Sequence, residues 1–216
     1  MLRTIQLRKN YENIEVLKGI DLHIQKGEIV SIVGASGAGK STLLQLLGTL
    51  DKPDSGEIFI NNQNINKLKK NEIASFRNQQ LGFIFQFHNL LGEFTALENV
   101  LMPAYIAGNK NDSTKRAIEL LETLGLKDKI NSLPSQMSGG EQQRAAVARA
   151  LINNPAVIFA DEPSGNLDSK NANELHQLFF DLREQFNQTF VIVTHNTDLA
   201  KMADRKLIMQ DGLLIN

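Results

Sequence analysis

The sequence predicts an α/β fold in which a parallel, helix-covered sheet carries a helical insertion, and three observations predict it. Strand-like runs dominate the N-terminal part, helical patterns fill the middle, and strands alternate with helices again toward the end. Such alternation joins parallel strands by helical crossovers.

The elements follow in order. Ile5–Arg8, Val16–Ile24, Glu28–Val33 and Glu57–Asn61 read as strands, punctuated by "KG" and by the turn "DKPDSG" at 51–56. The apolar run "TLLQLLGTL" reads as a helix, and Leu81–Phe85 as a further strand. Helices are expected from about Thr95 to Ala107, Ser113 to Leu124 and Ser138 to Ile152. Thr95 with Glu98, and Ser138 with Glu141, have capping-box spacing, in which each side chain satisfies a free backbone N–H of the first turn. Next come a strand, "AVIFA" at 156–160, a helix near 169–186, a strand, "TFVIVTH" at 189–195, and a short helix. "KLIMQDGLLIN" reads as a terminal hairpin.

Composition narrows the function classes. With 216 residues, 42% hydrophobic and 22% charged, the chain fits one globular unit with a sizeable core. The absence of Cys removes disulfides, thiolate metal sites and cysteine nucleophiles together. A net charge of -1 leaves no electrostatic footprint for nucleic acid, and the densest basic cluster, "KLKK" at 67–70, reads as a solvated face. The stretch "GFIFQFHNLLGEFTALENVLMP" at 82–103 holds four of the 11 Phe, yet Gln86, His88, Asn89, Glu93 and Glu98 break it. A spanning helix needs about 20 mostly apolar residues, so this is no transmembrane segment. "MLRTIQLRKN" alternates like a strand rather than a signal segment, which makes the cytosol the expected compartment.

"GASGAGKS", Gly34–Ser41, lies between an apolar strand and an apolar helix and matches the phosphate-binding P-loop pattern. Small residues there let successive N–H groups wrap a phosphate at a helix N-terminus; Lys40 would neutralise the β/γ oxygens and Ser41 would ligate Mg²⁺. Nucleotide contacts are expected from Gly34, Ala35, Ser36, Gly37, Ala38, Gly39, Lys40, Ser41 and Thr42. A P-loop also needs a carboxylate at the end of a neighbouring buried strand to hold Mg²⁺. "VIFADE" brings the chain to Asp161, followed by Glu162, which is placed to orient or deprotonate the attacking water. His195 ends a further strand, where it would hydrogen-bond the γ-phosphate or hold the water.

"SGGEQQRAAVARAL" at 138–151 presents Gly139 and Gly140 behind a Ser138 cap, a second anion site, with Ala145, Ala146, Ala148 and Ala150 as a thin packing face. Together with the P-loop, Gln86, Asp161-Glu162, "SGNLD" at 164–168 and His195, all in this order, the chain closely resembles the ATPase subunits of ABC transporters. The resemblance covers essentially the whole chain. It implies a P-loop core of ABC ATPase type, a mixed sheet with helices, plus an N-terminal antiparallel β subdomain and an inserted α-helical subdomain. A single domain, 1–216, would divide into a nucleotide-binding core, about 1–85 and 155–216, and a helical subdomain with the signature motif, about 86–154.

The resemblance also implies roles. Tyr11 matches the aromatic that stacks on adenine, and Gln86 matches the Mg²⁺ and water sensor that helps hold the metal beside Ser41 and Asp161. Asp168 lies in the loop linking two sites of a head-to-tail dimer, in which Ser138 serves its partner's ATP. Integral membrane subunits would be the other partners, with the chain peripheral on the cytoplasmic face of the inner membrane. Within the family the chain looks most like the ATPases of lipoprotein-releasing systems, with MacB-type export and FtsE-type division ATPases as near neighbours. Met137 and Ser164 depart from the commonest Leu and Thr, and Gly92 stands where Pro is expected.

Soluble ABC ATPases that act on DNA or ribosomes are the other class. The chain has neither a long coiled coil between Lys40 and Ser138, nor a second cassette, nor a basic surface. A binding module without hydrolysis is disfavoured by the complete set of Lys40, Ser41, Asp161, Glu162 and His195. In the 82–103 stretch, alternation assigns Phe83 and Phe85 to the core. Phe87, Leu90, Leu91 and Phe94 are either a docking groove for membrane subunits, as the resemblance implies, or a satellite core under a loop.

Overall fold

The computed structural model describes residues 1–215, with backbone alone at 110–112. Two sheets organise the chain. β1 (Leu2–Tyr11), β2 (Ile14–Ile24), β4 (Ser55–Ile60) and β5 (Gln63–Asn64) form an antiparallel sheet in the order β2-β1-β4-β5. β1 runs well beyond the expected Ile5–Arg8 and carries an irregularity between Thr4 and Leu7. Gln6 takes a φ of 46° there, and its backbone N–H donates to Asp21.

The second sheet contains β3 (Ile29–Val33), β6 (Leu81–Phe85), β7 (Val157–Asp161), β8 (Thr189–Val193), β9 (Arg205–Gln210) and β10 (Leu213–Ile215), in the order β10-β9-β3-β8-β7-β6. Every pair is parallel except β9–β10, where Asp211 and Gly212, both at positive φ, make the tight turn that favours a hairpin. Asn216, the last residue of that expected hairpin, lies outside the described residues.

Seven α-helices are described: α1 (Lys40–Leu47), α2 (Lys70–Gln80), α3 (Ala96–Ile106), α4 (Lys110–Thr123), α5 (Gly139–Leu151), α6 (Ser169–Phe186) and α7 (Thr197–Met202). Both capping boxes form, with Thr95 accepting from the Glu98 N–H and Ser138 from the Glu141 N–H. Helix α2 is absent from the sequence reading. Only Phe76 of its 11 residues is buried, so no apolar stripe marks it.

The parallel strands separate two cores by simple alternation. Ile158, Ala160, Phe190 and Ile192 face a core shared with α3, α5 and α6. Val157, Phe159, Val191 and Val193 face a second core shared with α1 and the antiparallel sheet. The helices after β6 therefore pack continuously on one face of the parallel sheet, with α5 directly against β6. No helix among the described residues is long and apolar enough to cross a membrane.

One expectation is corrected at the sheet edge. Phe83 and Phe85 are half-buried rather than core. They stack with centroids 6.0 Å apart and line a cavity of about 480 Å³. The reason is that β6 is the last strand of its sheet, so the cover on this face is incomplete.

Candidate functional site

β3 ends in the middle of the parallel sheet, and residues 34–39 carry the chain into α1. Gly39 caps α1 at φ 105°, a left-handed conformation that other residues rarely adopt. A Cβ on Gly34 would collide with the Met209 carbonyl oxygen of β9, so the loop passes closely over the sheet only because it is glycine. Leu43, Leu44, Leu46 and Leu47 are buried beneath α1. At about 1.5–3 kcal/mol for each such side chain, they fix the helix whose free first-turn N–H groups form an anion site.

Lys40 is only 6% exposed. Its Nζ donates to the carbonyls of Gly34 at 2.9 Å and Ala35 at 2.8 Å. An ammonium has three donors, so two are engaged by the loop itself. Phosphate oxygens occupying the loop would compete with these carbonyls for the same charge.

Asp161 closes β7, and its carboxyl is raised above the usual range, chiefly by burial, with Glu162 adding to the rise; the hydroxyl of Ser41 and the charges of Lys40 and His195 pull it down. Those influences place Asp161 beside Ser41. The sequence expectation of a strand neighbouring β3 is corrected, because β8 lies between β3 and β7. That interposed strand brings Thr194 and His195 alongside Glu162. Glu162 stands at φ 46°, a strained conformation of the kind concentrated at functional sites. Its Oε2 accepts from the His195 N–H at 3.1 Å and from the Thr194 hydroxyl at 3.4 Å. Its Oε1 lies 3.4 Å from His195 Nε2, is buried and accepts no hydrogen bond among the described residues. A carboxylate oxygen without a donor, in a partly desolvated position, is suited to accept a proton or a water.

Among the described residues no group of three His, Cys, Asp or Glu side chains could hold a metal alone. The hard oxygens of Ser41 and Asp161 do fit Mg²⁺, which commonly takes one or two protein ligands and completes its shell with phosphate and water. Gln86, at the end of β6, is held elsewhere. Its Nε2 donates to Asn166 Oδ1 at 2.9 Å, and Asn166 Nδ2 returns a bond to the Gln86 carbonyl at 3.1 Å.

Tyr11 is 42% exposed, and its hydroxyl donates to Asp51 Oδ2 at 2.7 Å. That bond, followed by desolvation, raises the phenol, while the Thr42 hydroxyl opposes the rise; Tyr11 therefore lies beside the start of α1. Ser138, Gly139 and Gly140 open α5 against the loop that ends at Asp168. Gly139 faces Leu167, and Gly140 faces Asn171, whose N–H donates to Asp168 Oδ1 at 3.0 Å. The structure thus gathers the site residues into two groups. Residues 34–42 join Tyr11, Asp161, Glu162 and His195, while Ser138–Gly140 join Asp168; Gln86 sits on the 164–168 loop between them.

The apolar residues beyond Gln86 divide. Leu90 packs against the core, whereas Phe87, Leu91 and Phe94 are exposed. Asn99, 1% exposed, fixes this loop by accepting from the Leu91 N–H and donating to the Leu91 and Phe94 carbonyls. Arg149 of α5 donates to the carbonyls of His88 and Asn89. Sequence reasoning missed Asn166, Thr194 and Gln143 at the site. Only Gln143 carried a signal, an amide on the helical stripe of Ala146, Val147 and Ala150.

A phosphate loop over a parallel sheet, a strand-end carboxylate against its serine and a paired glutamate and histidine define a P-loop ATPase cassette. The family model described as "ABC transporter" matches residues 17–165. A lipoprotein-releasing system ATP-binding protein LolD from Cytophaga hutchinsonii is 59% identical over 216 residues, covering 100% of this chain and 99% of that protein. The LolD of Bacteroides fragilis is 58% identical over the full length of both. Among solved structures, a dimeric ATP-binding cassette, MJ0796, bound to ADP and Pi superposes with a TM-score of 0.90 at 41% identity, covering 100% of this chain and 97% of that one. The chain belongs to the ABC transporter family, as an ATPase of the LolD type.

Proposed function

We propose that this chain is the ATP-hydrolysing subunit of a lipoprotein-releasing transporter. In this reading two copies act head to tail on LolC/LolE-like membrane subunits, at the cytoplasmic face of the inner membrane. The observation that carries this reading is the end-to-end likeness to LolD proteins in a chain whose site retains Lys40, Ser41, Asp161, Glu162 and His195.

In this account Tyr11 stacks on adenine, and the first-turn N–H groups of α1, with Lys40, take the β and γ oxygens. Ser41 and Asp161 would hold Mg²⁺, with Gln86 as its sensor, and the ion would supply charge neutralisation for the phosphates. Glu162 takes the proton of the attacking water as its oxygen bonds to the γ-phosphorus and the bridging P–O bond breaks. His195, whose imidazole is half-exposed beside Glu162, steadies the γ-phosphate. Ser138, Gly139 and Gly140 contact the partner copy's ATP, and Asp168 links the two sites. Division of the chain into a core, about 1–85 and 155–216, and a helical subdomain, about 86–154, would let α5 move with nucleotide state.

The membrane subunits dock, in this account, on the open apolar surface lined by Phe83, Phe85, Met102, Pro103 and Ile106 and on the exposed Phe87 and Leu91 of the loop after β6. Depletion of the chain in its own cell tests the reading. Outer-membrane lipoproteins should accumulate in the inner membrane. Normal sorting with failing drug efflux or septation would instead favour the MacB-type or FtsE-type alternative.

A further inference from the structure

We propose that Gln143 is a positioning residue for hydrolysis, which locks the Glu162 turn and the start of the Gln86 loop to the helix capped by Ser138. The side chain is fully buried, at 0% exposure. Its Nε2 donates to the Pro163 carbonyl at 2.7 Å and reaches the Phe85 carbonyl at 3.4 Å. Pro163 directly follows Glu162 and Phe85 directly precedes Gln86, so one amide touches the backbone next to both. Phe85 and Asp161 are also register partners across β6 and β7. A movement of α5 therefore acts on both strand ends through one group.

Packing does not explain the amide. Gln143 lies on the apolar stripe of α5, and its Oε1 is buried with no hydrogen-bond partner among the described residues. A buried acceptor without a donor costs stability, typically about 1–3 kcal/mol. Methionine has similar length and no such acceptor but no donor for the Pro163 carbonyl, so what the amide supplies here and an apolar side chain cannot is that tie. Other anchors of the 162–168 segment go to other elements: Glu162 bonds Thr194 and His195, Ser164 pairs with His176 at 2.9 Å, Asn166 pairs with Gln86, and Asp168 accepts from Asn171. Among the described hydrogen bonds, Gln143 supplies the direct tie between this segment and the helix that Ser138 caps.

The inference rests on Glu162 and Gln86 acting in hydrolysis, as proposed above. Its test measures steady-state ATP turnover, nucleotide affinity and melting temperature of the purified full chain with Gln143→Met, Gln143→Glu and, as a control, Glu162→Gln. Gln143→Met should lower kcat about tenfold or more, the scale of small misplacements at a reacting centre, with KM within about twofold and a melting temperature within about 4 °C of wild type, because removing the unpartnered Oε1 offsets the donor lost to Pro163. Gln143→Glu should show a pH-dependent ratio of kcat to wild type, rising from pH 8 to pH 6 as a protonated carboxyl regains a donor for Pro163. Wild-type kcat in Gln143→Met, or a loss matched by falling affinity and melting temperature, overturns the proposal. If Gln143→Met does not fold, a flat Gln143→Glu ratio overturns it. An inactive Glu162→Gln beside a fully active Gln143→Met sinks this inference alone, whereas an active Glu162→Gln sinks the site reading beneath it.

Discussion

Replacing Glu162 by Gln changes one atom of the site and little else. Oε2 accepts the His195 N–H and the Thr194 hydroxyl, and an amide oxygen can keep both contacts. Oε1 accepts no hydrogen bond among the described residues and lies 3.4 Å from His195 Nε2, so an amide nitrogen in its place gives up only that contact with a half-exposed imidazole. Folding stability should therefore shift by less than about 1 kcal/mol. The amide cannot accept the proton of water, and loss of general-base chemistry removes about a hundredfold or more of rate, or about 2.7 kcal/mol in the barrier. Phosphate release, fluorescent-nucleotide affinity and gel filtration with ATP should together show binding retained, turnover lost and a trapped dimer. Wild-type turnover would remove Glu162 from the mechanism, and lost ATP binding would show that the substitution disturbs the loop instead.

Lys40→Ala should weaken ATP binding itself, because it deletes the buried charge facing the phosphates; undiminished affinity by titration would contradict that role. Phe87→Asp with Leu91→Asp should leave nucleotide binding intact and abolish co-purification with the membrane subunits, since an aromatic interface anchor is typically worth about 2 kcal/mol or more. Normal assembly would place the docking surface elsewhere. Leu90 is unsuited to this test because it packs on the core. His176 is held below its ordinary range by burial, with Asp198 opposing. The unfolded chain then binds more protons than the folded one as pH falls through the ordinary histidine range, so stability drops with acidification. His176→Gln should flatten part of that slope in melting temperature between pH 7 and 5, leaving the contribution of His88, which is also lowered by burial; an unchanged slope would refute it.

Chemistry that depends on neighbours in sequence was legible. The P-loop, the capping boxes and the strand-end pair Asp161-Glu162 are local patterns, and the backbone places them as their spacing implies. Long-range consequences were less so. That β8 runs between β3 and β7 is a matter of sheet order, which no local pattern encodes. Helix α2 went unread because its one buried residue, Phe76, leaves no period to detect. Phe83 and Phe85 alternate like core residues, and only the edge position of β6 opens them to a cavity. Asn166 and Thr194 gain their roles from partners far along the chain, Gln86 and Glu162.

If ATP turnover at Glu162 drives lipoprotein release, as proposed above, reconstitution measures that link directly. Proteoliposomes holding this chain with its membrane subunits and a labelled lipoprotein should release the label on adding ATP and Mg²⁺. The same vesicles built with Glu162→Gln should bind ATP and release almost none. Equal release by the two would contradict the account, as would ATP hydrolysis by the wild-type complex with the lipoprotein left in the bilayer.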